Sequence, residues 1–139
     1  MTTINKLLLI GIVLLSGCSK ENSTEPANSL AGNYNSSSFI LPDAADRSVD
    51  VQASGGSVNI TFTNKNEYTA KVIIPQSVST IMGSGITKTY TGSYVISNDT
   101  VKLSQSGFII NSMKWHESGK SVEALSPARG GLSFVLQKQ

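Results

Sequence analysis

A single cysteine, Cys18, and a single histidine, His116, bound the chemistry open to this chain. A Ser-His-Asp relay would have to run through His116, and no Gly-x-Ser-x-Gly turn nominates a serine to partner it. A surface histidine at the end of a strand is the plainer expectation. His116-Glu117 opens like a zinc-binding His-Glu-x-x-His helix, but the position that needs the second histidine holds Lys120. Gly119-Lys120-Ser121 matches the end of a phosphate-binding loop, yet Lys114 stands where the first glycine belongs. The flanks there read as strands, without the helix whose N-terminus such a loop uses. Asp43, Asp46 and Asp50 could offer oxygens to calcium, which takes about six to eight. Arg47 in their midst and the missing glycine-turn spacing favour a solvated loop. Glu67, Asp99, Glu117 and Glu123 are dispersed, and nothing in their spacing nominates a carboxylate pair for glycoside hydrolysis. The expectation is a protein that is not an enzyme and needs no cofactor or metal.

The aromatic residues are the more informative set. Tyr68, Tyr90, Tyr94, Phe108 and Trp115 are the candidate ligand-binding residues, because small-molecule sites are mostly apolar with a few placed polar groups. The same residues are what a β core uses for packing, with tyrosine and tryptophan at margins where their polar tips reach water. The sequence leaves both roles open for each of them.

Cys18 has a clearer assignment. Lys6 precedes the apolar run Leu7–Leu15, and small residues then lead to the cysteine, the layout of a secretory signal peptide. As a helix, residues 7–17 would span only about 16 Å, against a hydrocarbon core of about 30 Å. Leu15-Ser16-Gly17-Cys18 resembles the lipobox of bacterial lipoproteins. That resemblance implies a diacylglycerol on the Cys18 sulfur and cleavage that leaves Cys18 as the new N-terminus. One acyl chain anchors only marginally, whereas the two or three implied here would hold permanently at about 0.8 kcal/mol per methylene. Ser19 is not the aspartate that resembles an inner-membrane retention signal, so the implied address is the outer membrane. Lys20-Glu21 resembles the charged export signal of some Bacteroidota lipoproteins, which leaves the periplasmic face and the cell surface both open. With no second cysteine there is no disulfide within the chain.

Charged residues make up only 14% of the chain, and Ser, Thr, Asn and Gly take their place. The formal net charge is +2, with basic residues spread singly rather than clustered, which excludes nucleic acid as a partner. The partners that remain are a membrane, reached through the lipid anchor, a small hydrophobic ligand, or another protein.

Three segments follow: a signal peptide over 1–17, a lipidated cysteine and flexible tether over 18–29, and one domain over 30–139. The tether holds almost nothing that could be buried. From Leu30 onward the apolar residues recur every second position, the signature of strands. Val58, Ile60 and Phe62 alternate with polar neighbours, as do Tyr68, Ala70, Val72 and Ile74. Further runs are Ile86–Ile96, Val101–Leu103, Phe108–Trp115, Val122–Leu125 and Leu132–Leu136, separated by glycine and asparagine turns. Asn98-Asp99 reads as the turn of a hairpin. Only Pro42–Arg47 offers a single helical turn. The fold expected is all-β, one antiparallel up-and-down barrel of about eight strands, with a β-sandwich as the alternative.

Leu30-Ala31-Gly32-Asn33-Tyr34, with glycine followed two positions later by an aromatic residue, resembles the first strand of lipocalin-like proteins. Tyr90–Ile96, Asn98-Asp99, Val101–Leu103 and the closing Leu132–Leu136 are similar to small lipocalin-like lipoproteins of Bacteroidota. The resemblance implies a non-enzymatic envelope lipoprotein that binds a small apolar or amphipathic ligand. The alternative is a protein-interaction or structural module of a surface or periplasmic complex, built as a sandwich or a filled barrel. An eight-stranded barrel is just wide enough either to fill itself with side chains or to hold one small ligand.

Overall fold

The computed structural model describes residues 29–42, 47–78, 84–104, 110–118, 120–125 and 132–139. Nine strands are present there: β1 (Gly32–Pro42), β2 (Ser48–Asp50), β3 (Ser57–Phe62), β4 (Glu67–Ile74), β5 (Ile86–Ser97), β6 (Thr100–Leu103), β7 (Ser112–His116), β8 (Ser121–Leu125) and β9 (Ser133–Lys138). No helix occurs among the described residues. The strands run β2-β1-β3-β4-β5-β6-β7-β8-β9, all pairings are antiparallel, and β1 also pairs with β9. That last pairing closes eight strands into an up-and-down barrel, consistent with a lipocalin-like fold. It rules out the sandwich, whose two sheets would not be joined in a ring.

Alternation drives the wall. In β4 every second side chain from Tyr68 to Ile74 is buried, and the residues between them face outward. β3 buries Val58, Ile60 and Phe62 in the same way, and β9 buries Phe134 and Leu136. β1 is harder to read. Its middle, Asn35-Ser36-Ser37-Ser38, carries no apolar residue, yet the strand continues to Pro42. The register against β9 slips between Ser36 and Ser38, so Ser37 is the extra residue of a bulge. Below the bulge β1 pairs with β3, and above it with the short β2.

The 51–56 turn fills the gap this leaves between β1 and β3. Val51 N–H donates to the Phe39 carbonyl at 2.9 Å, Gln52 Nε2 to the Ser36 carbonyl at 2.8 Å, and Val58 N–H to Ser36 Oγ at 3.1 Å. Val51 is fully buried as a result. Gly56 completes the turn because a Cβ there would run into the Val51 side chain and come within 2.8 Å of the Ile73 carbonyl oxygen.

The two ends of the barrel differ. At one end lie the tight turns 63–66, 98–99 and 117–120, together with the start of β1 and the end of β9. Asn66, Asn98 and Lys120 take left-handed φ values of 59°, 56° and 47° in those turns. This base is sealed. Leu30, Tyr34, Phe62, Tyr68 and Tyr94 are buried in it, with Phe62 meeting both Tyr34 and Tyr94 edge to face at 5.6 and 5.0 Å. At the opposite, loop end β4, β6 and β8 finish and β5, β7 and β9 begin, and the described residues between them are 75–78, 84–85, 104, 110–111 and 132.

Two expectations need amendment, and a third falls outside the described residues. β2 is an additional strand, hidden because Ser48-Val49-Asp50 has one apolar residue. Within the run from Phe108 to Trp115, residues 108–109 lie outside the described residues, Ile110 and Asn111 belong to no strand although Ile110 is buried, and β7 begins at Ser112. The helical turn expected over Pro42–Arg47 falls on residues 43–46, outside the described residues.

Candidate functional site

Inside the loop end, seven apolar side chains converge: Phe39 from β1, Val58 from β3, Val72 from β4, Tyr90 from β5, Ile110, Leu132, and Phe134 from β9. The registers explain the meeting. Phe39 lies opposite Phe134, Val58 opposite Val72, and Ala70 opposite Tyr90, so their inward side chains share one level of the barrel. The space left between them is about 10 Å³, roughly the room of one water molecule. The lining offers such a water almost no hydrogen bond, so the space between these seven side chains is an apolar seam.

Around the seam the packing loosens toward solvent. Leu41, Val78, Ile86 and Tyr90 are only partly buried against the core, and all four lie toward the loop end. Lys88 sits among them. It shares the inward-facing side of β5 with Ile86 and Tyr90, lies opposite Val72, and is exposed. Its Nζ is 5.0 Å from the centre of the Tyr90 ring, a cation–π contact. Among the described residues no carboxylate forms an ion pair with it. The mouth therefore combines an apolar floor, a half-buried phenol ring and one free ammonium group.

Of the four candidate aromatic residues that are described, the structure brings only Tyr90 to this seam. Tyr68 and Tyr94 lie in the sealed base, where Tyr94 Oη donates to the Thr63 carbonyl at 2.8 Å. Tyr68 Oη is buried with no hydrogen-bond partner among the described residues, and burial pushes its pKa up. Trp115, on β7 opposite Val122, packs partly buried on the core. Phe108 and Cys18 lie outside the described residues. Lys88 and the partners of Tyr90 escaped the sequence reading. Phe39 and Phe134 look like ordinary core residues until the β1–β9 register places them beside each other, and Lys88 interrupts the apolar alternation that marks an inward face.

Elsewhere the polar residues are engaged in structure. His116 Nε2 lies 3.3 Å from Glu123 Oε2 on the neighbouring strand, both partly exposed, and no serine hydroxyl bonds to it among the described residues. Asp50 Oδ1 accepts the Ala53 N–H at 2.9 Å, so it builds the 51–56 turn. No cluster of three metal-ligating side chains occurs among the described residues. Lys120 and Ser121 stand where the β7–β8 turn enters β8, followed by strand. Among the described residues, the hydrogen bonds at the loop end place no nucleophile beside a base. Compared with known proteins, the chain matches no family model, no curated protein and no solved structure.

Proposed function

We propose that this protein is an envelope lipoprotein, anchored in the outer membrane through lipid on Cys18, whose barrel binds a small amphipathic molecule at its loop end and catalyses no reaction. The observation that carries the reading is the contrast between the ends: a base sealed by stacked aromatic rings, and a mouth of partly exposed apolar side chains with Lys88 over Tyr90. Small-molecule sites pair an apolar lining with a few placed polar groups. The volume sets the mode of binding. A seam of about 10 Å³ admits an apolar tail only if a lining side chain yields, and Tyr90 is the partly buried aromatic residue in that lining.

Packing supports a second reading, a filled barrel that works through its surface in a protein complex. One experiment separates the two. The full chain, released from detergent micelles in the gas phase, is tested by native mass spectrometry for retention of dodecanoate and of monododecanoylglycerol. Retention of dodecanoate, weakened about tenfold by Tyr90→Ala through lost apolar contact, supports the ligand reading. If neither compound is held, the ligand reading fails and the surface module stands.

A further inference from the structure

The end of the barrel where the tether enters carries its own exposed apolar feature. Among the described residues only two large hydrophobic side chains are exposed, Val95 at 62% and Ile96 at 36%, and they are neighbours on β5. Their position follows from the strand registers. β4 begins at Glu67 opposite Ser93, so Tyr94–Ser97 run past the β3–β4 turn and pair with β6 alone. On the β4 side Tyr94 N–H donates to the Asn66 carbonyl at 2.8 Å. Beyond it the hairpin tip extends by roughly 10 Å at about 3.3 Å per residue. Burial within the domain cannot account for Val95, which lies on the outer face opposite the exposed Lys102.

The tether arrives at the same end. Leu30 is buried in the base, Ser29 Oγ donates to Glu117 Oε1 at 2.9 Å, and Lys138 Nζ donates to the Ser29 carbonyl at 2.7 Å. A flexible coil of the length that separates Cys18 from Ser29 in the sequence would have a typical reach of about 18 Å. We propose that the β5–β6 hairpin, through Val95 and Ile96, rests in the interface of the bilayer that holds the anchor, which points the loop-end mouth away from the membrane. The proposal depends on lipid attachment at Cys18. Burying two such side chains is too weak a contact to recruit a free protein, but the anchor has already supplied the encounter. Within that short reach the docking is intramolecular and its effective concentration is high. Lys65, Lys102, Asp99 and Glu117 mix both signs of charge at this end, so apolar contact rather than net charge is the attraction.

Depth-dependent quenching tests it. The full chain carrying Ile96→Trp in a Trp115→Phe background is reconstituted into phosphatidylethanolamine vesicles containing lipid brominated near the headgroup end of its acyl chains. A second variant places the tryptophan at the opposite end as Ser77→Trp. Intact mass first reports whether Cys18 carries lipid. With lipid present, quenching at position 96 is expected to exceed that at position 77 by about twofold or more, as for a side chain seated some 5–10 Å into the interface. Equal quenching at the two positions overturns the docking. An unlipidated Cys18 in protein recovered from membranes overturns the anchoring on which it rests. Hydrogen exchange on the unsubstituted lipidated chain provides a check free of mutations, since docking slows exchange at 95–97 when vesicles are present and absence of that protection also overturns it.

Discussion

Lys138, at the end of the last strand, reaches across the base to the residue three positions before β1: its Nζ donates to the Ser29 carbonyl at 2.7 Å. The same ammonium lies 5.8 Å from the centre of the Tyr34 ring, and its stem covers Gly32 so closely that a Cβ there would come within 2.6 Å of Lys138 Cε. One side chain thus ties Ser29, the first strand and the aromatic base together. Lys138→Met keeps most of the stem but loses the charge, and should cost about 1–2 kcal/mol from the lost charged hydrogen bond and cation–π contact. Lys138→Ala, which also uncovers Gly32, should cost more. Denaturant unfolding gives both values, and faster amide exchange at Leu30 in each variant would locate the effect. Two variants of equal, unchanged stability would show that Lys138 does not fasten Ser29.

Two buried tyrosines make opposite predictions although they sit in the same base. Tyr94 Oη has its acceptor in the Thr63 carbonyl, whereas Tyr68 Oη has no partner among the described residues. A satisfied buried hydroxyl contributes about 1 kcal/mol, and an unsatisfied one costs about 1–3 kcal/mol in desolvation. Tyr94→Phe should therefore destabilise the barrel, while Tyr68→Phe should leave it unchanged or raise its melting temperature. If Tyr68→Phe destabilises as much as Tyr94→Phe, the Tyr68 hydroxyl is satisfied by an ordered water.

These tyrosines also mark the limit of what the sequence could say. Tyr68 and Tyr90 are the same residue type, and both lie on the inward-facing side of their strands. One ends in the sealed base and the other at the mouth, because position along the barrel axis is set by register, with Tyr68 opposite Gly92 and Tyr90 opposite Ala70. β4 was legible because Tyr68, Ala70, Val72 and Ile74 keep an unbroken rhythm. Most of β1 was not, because its serine run has no rhythm and a bulge resets it at Ser37. Closure rests on Tyr34 meeting Lys138 and Phe39 meeting Phe134. No local pattern encodes pairings between strands so far apart in the chain.

Alkaline pH offers the last test, through Tyr34. Burial, reinforced by the neighbouring Tyr94 phenol, pushes the Tyr34 pKa up to about 12 from an ordinary value of 10.0. The folded state thus holds the phenol neutral where the unfolded chain would ionise it. A raised folded pKa means that this contribution to stability is fully present below pH 10 and is lost as pH climbs from there through about 12. Tyr68, raised by burial as well, acts in the same direction. The melting temperature should show no tyrosine-linked loss up to about pH 9.5, before the unfolded phenols ionise, and then fall. The fall should be shallower in Tyr34→Phe, which has one fewer phenol to ionise on unfolding. Absorbance of phenolate followed in parallel should show the Tyr34 and Tyr68 phenols ionising only together with loss of the β-sheet signal. A Tyr34→Phe variant whose melting temperature falls as steeply as the unsubstituted chain's would mean that the base admits water and hydroxide without opening.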